Sequence, residues 1–107
     1  MWSIDCSLII PWLDTLDDRT VACIFAALEV LEREGPALGR PLVDTLEGSS
    51  FGNMKELRPA SPGAAEVRIL FAFDPRREAV LLIGGDKAKG KNGKAKWEAS
   101  VVCVTRG

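Results

Sequence analysis

Residues 66–84 read EVRILFAFDPRREAVLLIG, two apolar runs joined by a turn. In the first run the odd-numbered residues from Val67 to Phe73 are all apolar, and this period of two predicts a strand with one buried face. The turn at residues 74–77 contains a proline, so the two runs are predicted to pair as an antiparallel hairpin. Arg68 falls on the strand face directed away from the main core.

A second hairpin is predicted immediately before the first. The run at residues 54–58 is strand-like, and the connection at 59–63 is rich in turn residues. After the later run, Gly84 and Gly85 are interpreted as a strand terminator, because no nucleotide-binding glycine spacing surrounds them. Residues 35–53 contain many Gly, Pro and Ser and few periodic apolar positions, so we expect a connecting loop.

The N-terminal part predicts one strand and two helices. Residues 2–8 alternate between apolar and polar and predict a half-buried strand, while residues 9–16 follow helical spacing with Pro11 in the first turn. Asp17 is the expected N-cap of a second helix that ends at Gly35. The apolar arc of this helix consists of Val21, Ile24, Phe25, Leu28 and Leu31.

The C-terminal part changes character. Residues 84–96 read GGDKAKGKNGKAK, a low-complexity Gly/Lys stretch that predicts a mobile tail. Residues 97–106 regain alternation, which predicts a further strand. The core order is β-α-α-β-β-β, an α+β fold in which two helices pack on one face of a small, antiparallel-dominated sheet.

The composition excludes several classes of function. The 107 residues leave room for one core, and the absence of histidine excludes His-based catalysis, the serine triad and most zinc chemistry. We therefore expect neither a metal nor a cofactor. Three cysteines without metal-ligand spacing, no apolar run of membrane-spanning length and no signal-peptide pattern predict a cytoplasmic protein with no membrane association.

The two halves of the chain carry opposite charge. Residues 1–52 hold three arginines against nine carboxylates, a net charge of −6. Residues 53–107 hold eleven basic and six acidic side chains, a net charge of +5. A basic face on an acidic protein points to a polyanion or an acidic protein partner, and a solvated charged face is the alternative.

The first group of candidate functional residues is basic. It consists of Arg40, Lys55, Arg58 and Arg68. Arg58 and Arg68 are predicted on adjacent strands, where they can hold a phosphate through charge-assisted hydrogen bonds. The alternative is a solvated or salt-bridged sheet face formed with Glu56 and Glu66.

Two further features are candidates for chemistry. The lysine run can follow a nucleic-acid backbone while the indole after it stacks on a base, and a disordered, solvating tail is the alternative. Asp44 can take a proton from a ribose 2′-hydroxyl beside an arginine pair, and capping or turn formation is the alternative. The run and its indole are Lys87, Lys89, Lys91, Lys94, Lys96 and Trp97.

Three motifs together carry a resemblance to a known family. They are GPALGRPLVDTL at residues 35–46, NMKELR at 53–58 and VRILFAFDPRR at 67–77. With them, the chain closely resembles the HigB-like, phage-derived branch of the RelE/ParE toxin superfamily over residues 12–90. The resemblance implies an α+β toxin domain at residues 1–87 and a divergent Lys/Gly-rich tail at 88–107.

The resemblance also implies an activity and partners. Toxins of this type belong to type II toxin–antitoxin pairs and are neutralised by a helix-turn-helix, HigA-like antitoxin, through which the complex binds promoter DNA. Their usual activity is cleavage of messenger RNA, often in the ribosomal A site. The expected partners are therefore an antitoxin, messenger RNA and the ribosome.

The family's site residues carry over position by position. Arg68 matches the arginine that contacts the scissile phosphate in RNA-cleaving members, and Arg58 matches the basic position that ends the preceding strand. Asp44 falls near the loop carboxylate that some members use as general base. Glu56 and Met54 stand where ribosome-dependent members carry lysines.

The C-terminal part departs from the family pattern. Many members supply a C-terminal His or Tyr, and this chain contains neither residue type. Lys87 or Trp97 would have to substitute. The family pattern continues after GDK with a Trp/Tyr-rich segment and a terminal helix, and the departure here implies a weak or inactive toxin if that helix completes the site.

The implied reaction is metal-independent RNA cleavage by in-line attack of a 2′-hydroxyl. Asp44 or Glu56 would act as base, Arg58 and Arg68 would stabilise charge on the phosphate, and Lys87 would assist the leaving 5′-oxygen. The residues expected to bind RNA are Arg40, Lys55, Lys89, Lys91 and Trp97.

Two alternatives remain at this point. One is a non-enzymatic growth poison, such as the gyrase-binding members with this fold, which the missing His and Tyr favour. The other is a degenerate toxin that only binds its antitoxin. The arginine pair and the HigB-like motifs favour RNA cleavage.

Overall fold

The computed structural model describes residues 1–45, 54–60, 63, 65–88 and 92–106, with side chains up to residue 103. The strands are β1 (Ser3–Asp5), β2 (Val43–Thr45), β3 (Met54–Leu57), β4 (Val67–Asp74) and β5 (Glu78–Asp86). The helices are α1 (Ile10–Leu13), α2 (Asp18–Glu34) and α3 (Gly93–Arg106), with 3-10 turns at Ser7–Ile9 and Gly35–Ala37. None of the described helices is long and apolar enough to cross a membrane.

The described strands form one mixed sheet in the order β1-β5-β4-β3-β2. β1 pairs with β5 in parallel, and the other neighbours are antiparallel. In β4, Ile69 lies between Leu57 of β3 and Gly84 of β5. Both predicted hairpins and the α+β class are therefore confirmed.

Helix α2 begins and ends as its sequence predicts. The Asp17 side chain accepts a hydrogen bond of 2.9 Å from the Thr20 backbone N–H, which satisfies one of the free donors of the first turn. Gly35 ends the helix at a positive φ of 58°, a conformation that glycine adopts without steric cost. Phe25 departs from the predicted buried arc, because it is 47% exposed.

Each face of the sheet has its own core. The larger core joins the buried side of α2 to the odd-numbered apolar residues of β4, and Trp12 and Leu13 of α1 pack beside it. The two predicted helices thus share one face. The smaller core lies on the opposite face, where Trp97 of α3 packs with Met54 and Leu70.

Strand β1 is shorter than the predicted strand at residues 2–8. The Asp5 carboxylate accepts hydrogen bonds from the Ser7 backbone N–H at 3.0 Å and from the Ser7 hydroxyl at 2.7 Å. This local turn offers the backbone an alternative to the strand ladder, so the chain leaves the sheet after Asp5.

A strand also forms inside the segment predicted as a loop. β2 has three residues, too few to produce a readable period, and it is held by pairing Val43 with Leu57 and Asp44 with Glu56 of β3. Residues 46–53 of the predicted loop lie outside the described residues.

The prediction of a strand at residues 97–106 is wrong, because α3 covers this stretch. Trp97 and Val101 are four residues apart, a spacing that fits one helix face as well as an alternating strand, and both join the smaller core. Likewise, the Gly/Lys-rich stretch predicted to be mobile contains the end of β5 and the start of α3.

Gly84 and Gly85 do not terminate a strand, because both lie inside β5. A Cβ at Gly84 would meet the six-membered ring of Trp12, and a Cβ at Gly85 would lie 2.9 Å from Trp97 Cε3. The two glycines therefore let one indole approach the strand from each face of the sheet.

We expect Gly84→Ala to lower the free energy of unfolding by about 1–3 kcal/mol, the usual cost of overpacking, because the new methyl group collides with Trp12. Urea unfolding measures this change. The matched control is Gly39→Ala, whose methyl group would meet nothing within 4 Å. Equal stability of the two variants would contradict the proposed role of Gly84.

Candidate functional site

The candidate site is a cluster of arginines and carboxylates on the sheet face covered by α3. Asp44 of β2 is directly opposite Glu56 of β3. Leu57 pairs with Ile69, so continuing the antiparallel register by one step places Arg58 beside Arg68 of β4. The predicted proximity of these two arginines is confirmed.

Glu56 lies at the centre of this cluster and is only 5% exposed. Its Oε1 accepts a hydrogen bond from Arg58 Nε at 3.0 Å and forms an ion pair with Arg68 Nε at 3.4 Å. Its Oε2 accepts a hydrogen bond of 3.2 Å from the indole Nε1 of Trp97. Both carboxylate oxygens are thus occupied, as a buried charge requires.

Asp44 is held by two arginines. Arg40 donates from Nε to Oδ1 and from Nη2 to Oδ2, both at 3.1 Å, and Arg58 Nη2 lies 3.2 Å from Oδ2. The Arg40 hydrogen bonds, together with the Thr45 backbone N–H and the charges of Arg40 and Arg58, hold the pKa of Asp44 below its usual value, although desolvation opposes them.

Arg68 is largely buried, and its side chain holds a donor with no hydrogen-bond partner among the described residues. Its Nη1 donates to the Val67 carbonyl at 2.8 Å, and its side chain is 18% exposed. Its Nε is buried and, within the part of the chain that the structure describes, has no hydrogen-bond partner. The Glu56 oxygen at 3.4 Å is close enough for an ion pair, but no hydrogen bond forms. An added oxyanion would satisfy this N–H.

The cluster has an excess of positive charge. Three arginines face two carboxylates. Glu56 forms ion pairs with Arg58 and Arg68, and Asp44 forms ion pairs with Arg40 and Arg58. The salt-bridged alternative considered from the sequence therefore describes part of the arrangement, with Asp44 rather than Glu66 as the second carboxylate. A phosphate would compete with Glu56 for Arg58 and Arg68, because planar guanidinium groups bind phosphate and carboxylate with similar geometry.

Trp97 and Lys87 lie beside the cluster. Trp97, Lys87 and Glu56 line a cavity of about 210 Å³. A second cavity, of about 430 Å³, is bordered by Trp97, Trp12 and Lys96. The predicted candidates Lys87 and Trp97 are therefore both close to Glu56.

The other predicted RNA-binding residues are placed differently. Lys55 lies between Met54 and Glu56, so strand alternation directs its side chain to the opposite sheet face from the cluster. Arg40 is exposed and contacts the cluster through Asp44. Lys89 and Lys91 lie outside the described residues.

The central position of Glu56 in the cluster was not readable from the sequence. The alternation from Glu56 to Arg58 was readable and places both on one face. The contact between Glu56 and Trp97 was not readable from the sequence, because Trp97 lies in a helix where a strand was predicted. Among the described residues, no group of three or more His, Cys, Asp or Glu side chains is arranged to hold a metal ion.

Comparisons with known proteins give consistent similarities. The family model described as Phage derived protein Gp49-like (DUF891) matches residues 11–102. A Mycobacterium tuberculosis protein named "Putative toxin HigB2" is 61% identical over 87 residues, which cover 81% of this chain and 43% of that protein. Another, named "Putative toxin HigB3", is 54% identical over 77 residues, covering 72% of this chain and 65% of that protein. The chain thus matches less than two thirds of the length of either relative.

We expect Arg40→Ala to raise the pKa of Asp44 toward its usual value, because the largest cause of the lowered pKa is removed. In the wild type, the stability that this carboxylate contributes is present above its ordinary pKa and is lost as the pH falls through the lower folded-state pKa. An NMR titration of the side-chain carboxyl measures the shift. Arg33→Ala, which removes an exposed ion pair with Glu34, is the control and should leave Asp44 unchanged.

Proposed function

Since the chain belongs to the phage-derived Gp49-like family, we propose that it is the toxin of a type II toxin–antitoxin pair and cleaves messenger RNA at the ribosome. The predicted resemblance to the HigB-like branch is confirmed by the family match and by the two relatives. Both relatives are named as toxins, which supports the toxin assignment. In this proposal, residues 1–87 form the toxin domain, and within residues 88–107 helix α3 packs on that domain through Trp97.

The observation that carries the cleavage proposal is the Glu56 carboxylate shared by Arg58 and Arg68. Two guanidinium groups that converge on one oxyanion are arranged to bind another. When RNA binds, a non-bridging phosphate oxygen replaces Glu56 Oε1, and the buried N–H of Arg68 gains an acceptor. Charge that builds on the phosphate in the transition state is then stabilised in a partly enclosed site.

The two carboxylates have different roles in this proposal. Asp44, whose pKa is lowered, is a weak proton acceptor and instead orients Arg40 and Arg58. Glu56 becomes the base once its arginines bind the phosphate. It accepts the proton of the 2′-hydroxyl, whose oxygen forms a bond to phosphorus while the bond to the 5′-oxygen breaks, and Lys87 donates a proton to that leaving oxygen.

The remaining partners follow from the family. We propose a helix-turn-helix antitoxin that neutralises the toxin in the cytoplasm and places the complex on promoter DNA. Arg40 and the lysines at the start of the tail would contact the RNA backbone, with Trp97 beside a cavity of about 430 Å³ that has room for a base.

A second candidate function is a toxin that retains antitoxin binding without cleavage. The observation that favours it is the same carboxylate: Glu56 forms ion pairs with both arginines and, by the family resemblance, stands where ribosome-dependent members carry lysine. In that case Glu56, held in place by Trp97, stays bound to the two arginines and keeps phosphate from reaching them. The cluster then stabilises the fold instead of binding RNA.

We expect Arg68→Ala to abolish growth arrest and to slow cleavage roughly 100- to 1,000-fold, the usual cost of losing one donor to a developing oxyanion. The chain is induced in a bacterial host without antitoxin, and transcript 5′-ends are mapped. Arg76→Ala, on the turn between β4 and β5, is the matched control and should cleave normally. Cleavage ends that persist in Arg68→Ala would refute the proposed site. Growth arrest without new ends would indicate a binding poison such as a gyrase inhibitor.

Glu56→Gln tests whether Glu56 is the general base of the cleavage reaction or a group that blocks RNA from the arginines. We expect it to slow cleavage by at least about 100-fold, the lower range for a general base, while RNA binding is retained or strengthened because the arginines lose a competing charge. Single-turnover cleavage and filter binding of a short RNA measure the two effects. Faster cleavage in Glu56→Gln would assign Glu56 as an inhibitory group and support the second candidate for the wild-type chain.

A further inference from the structure

An apolar groove runs between α1 and the N-terminal half of α2. Two large side chains on its edges are unusually exposed, with Ile10 at 48% and Phe25 at 47%, and Leu8 nearby is 62% exposed. Leu13 of α1 and Val21 of α2 line its floor. Contiguous apolar surface of this kind marks interaction sites on monomeric proteins.

The groove has measurable depth. One cavity of about 440 Å³ lies between α1 and α2, and a second of about 180 Å³ continues toward β1. Cys6 and Phe25 line both cavities, so the two adjoin. Apolar side chains from both α1 and α2 line the groove, and such a lining fits the apolar stripe of a partner helix.

The charged residues that line the groove are all acidic. They are Asp14, Asp18, Glu29 and Glu32. Neither cavity is lined by a lysine or arginine among the described residues. A partner with a complementary surface therefore carries apolar side chains flanked by Lys or Arg.

We propose that this groove, which we call the α1–α2 groove, is a docking site for a basic amphipathic helix of a partner protein. Apolar residues of that helix at i, i+3 or i+4, and i+7 pack on Ile10 and Phe25, while its Lys and Arg side chains reach the acidic rim. The charge asymmetry of the sequence pointed to an acidic partner for the basic half. The acidic residues of the groove, which belong to the acidic half of the chain, point instead to a basic partner.

Charge also decides against a second copy of this chain as the occupant. A symmetric dimer through the groove would place the same four carboxylates of each copy against one another, because an isologous interface pairs a surface with itself. Like charges across an interface cost free energy. A basic helix instead neutralises the rim.

The α1–α2 groove is separate from the arginine cluster. Leu13 packs against the core on the α2 face of the sheet, whereas Glu56 contacts Trp97 on the α3 face. A helix bound in the groove leaves the guanidinium groups of Arg58 and Arg68 uncovered. The proposal thus stands whether or not the chain cleaves RNA.

The test uses the full chain and two labelled synthetic peptides of about 18 residues, long enough for about five helical turns. One peptide carries a leucine stripe and a lysine face, and the other has the same stripe with glutamate in place of lysine. Fluorescence anisotropy is measured at low and moderate salt. We expect the lysine peptide to bind at least about tenfold more tightly than the glutamate peptide.

Variants locate the binding site. Phe25→Asp and Ile10→Asp should each weaken binding of the lysine peptide by about tenfold or more, because an apolar anchor is replaced. Val102→Asp adds the same charge at a residue of α3 that is 44% exposed, and it should leave binding unchanged. Circular dichroism of each variant confirms that it folds.

Four results would overturn the proposal. Equal binding of the two peptides would remove the charge argument, and equal effects of Phe25→Asp and Val102→Asp would place the peptide elsewhere. Self-association of the wild-type chain in sedimentation, lost in Phe25→Asp, would assign the groove to a second copy. Glu29→Gln with Glu32→Gln should reduce the salt dependence of peptide binding, and an unchanged dependence would also count against it.

Discussion

The site depends on the ion pairs and the hydrogen bond that the buried Glu56 carboxylate forms. A charge that is 5% exposed must be paired, and here the partners come from three places: Arg58 at the end of β3, Arg68 in β4 and the indole of Trp97 in α3. The carboxylate thus ties the helix to the sheet at the place where the arginines converge. Removing any one partner leaves a polar group in a poorly solvated position.

The sequence was most informative where a pattern repeats over many residues. The alternation from Val67 to Phe73 defined the central strand and the direction of Arg68, and Asp17 and Gly35 marked both ends of α2 because capping is a local interaction. These features depend on near neighbours in the chain. They are readable without knowledge of the tertiary structure.

The errors arose where tertiary contacts decide between local alternatives. β2 has only three residues and forms because β3 is available to pair with it. Trp97 and Val101 fit a strand or a helix by spacing, and packing on the smaller core selects the helix. For the candidate site, the sequence identified Arg58, Arg68, Asp44 and Glu56 and offered a salt-bridged face with Glu56 as an alternative, but it did not show that Asp44 pairs with Arg40 and Arg58. Pairing depends on distances that a linear pattern does not contain.

The parallel pairing of β1 with β5 has a consequence for how the protein is made. Ser3 pairs with Glu78, so β1 waits for the synthesis of β5 before the backbone hydrogen bonds between them form. Contacts between residues this distant in sequence slow folding, because a long loop must close first. At ordinary rates of synthesis, about 5–20 residues per second, the N-terminal strand spends several seconds without its partner. The β1 edge of the sheet is therefore completed only after β5 has been synthesised.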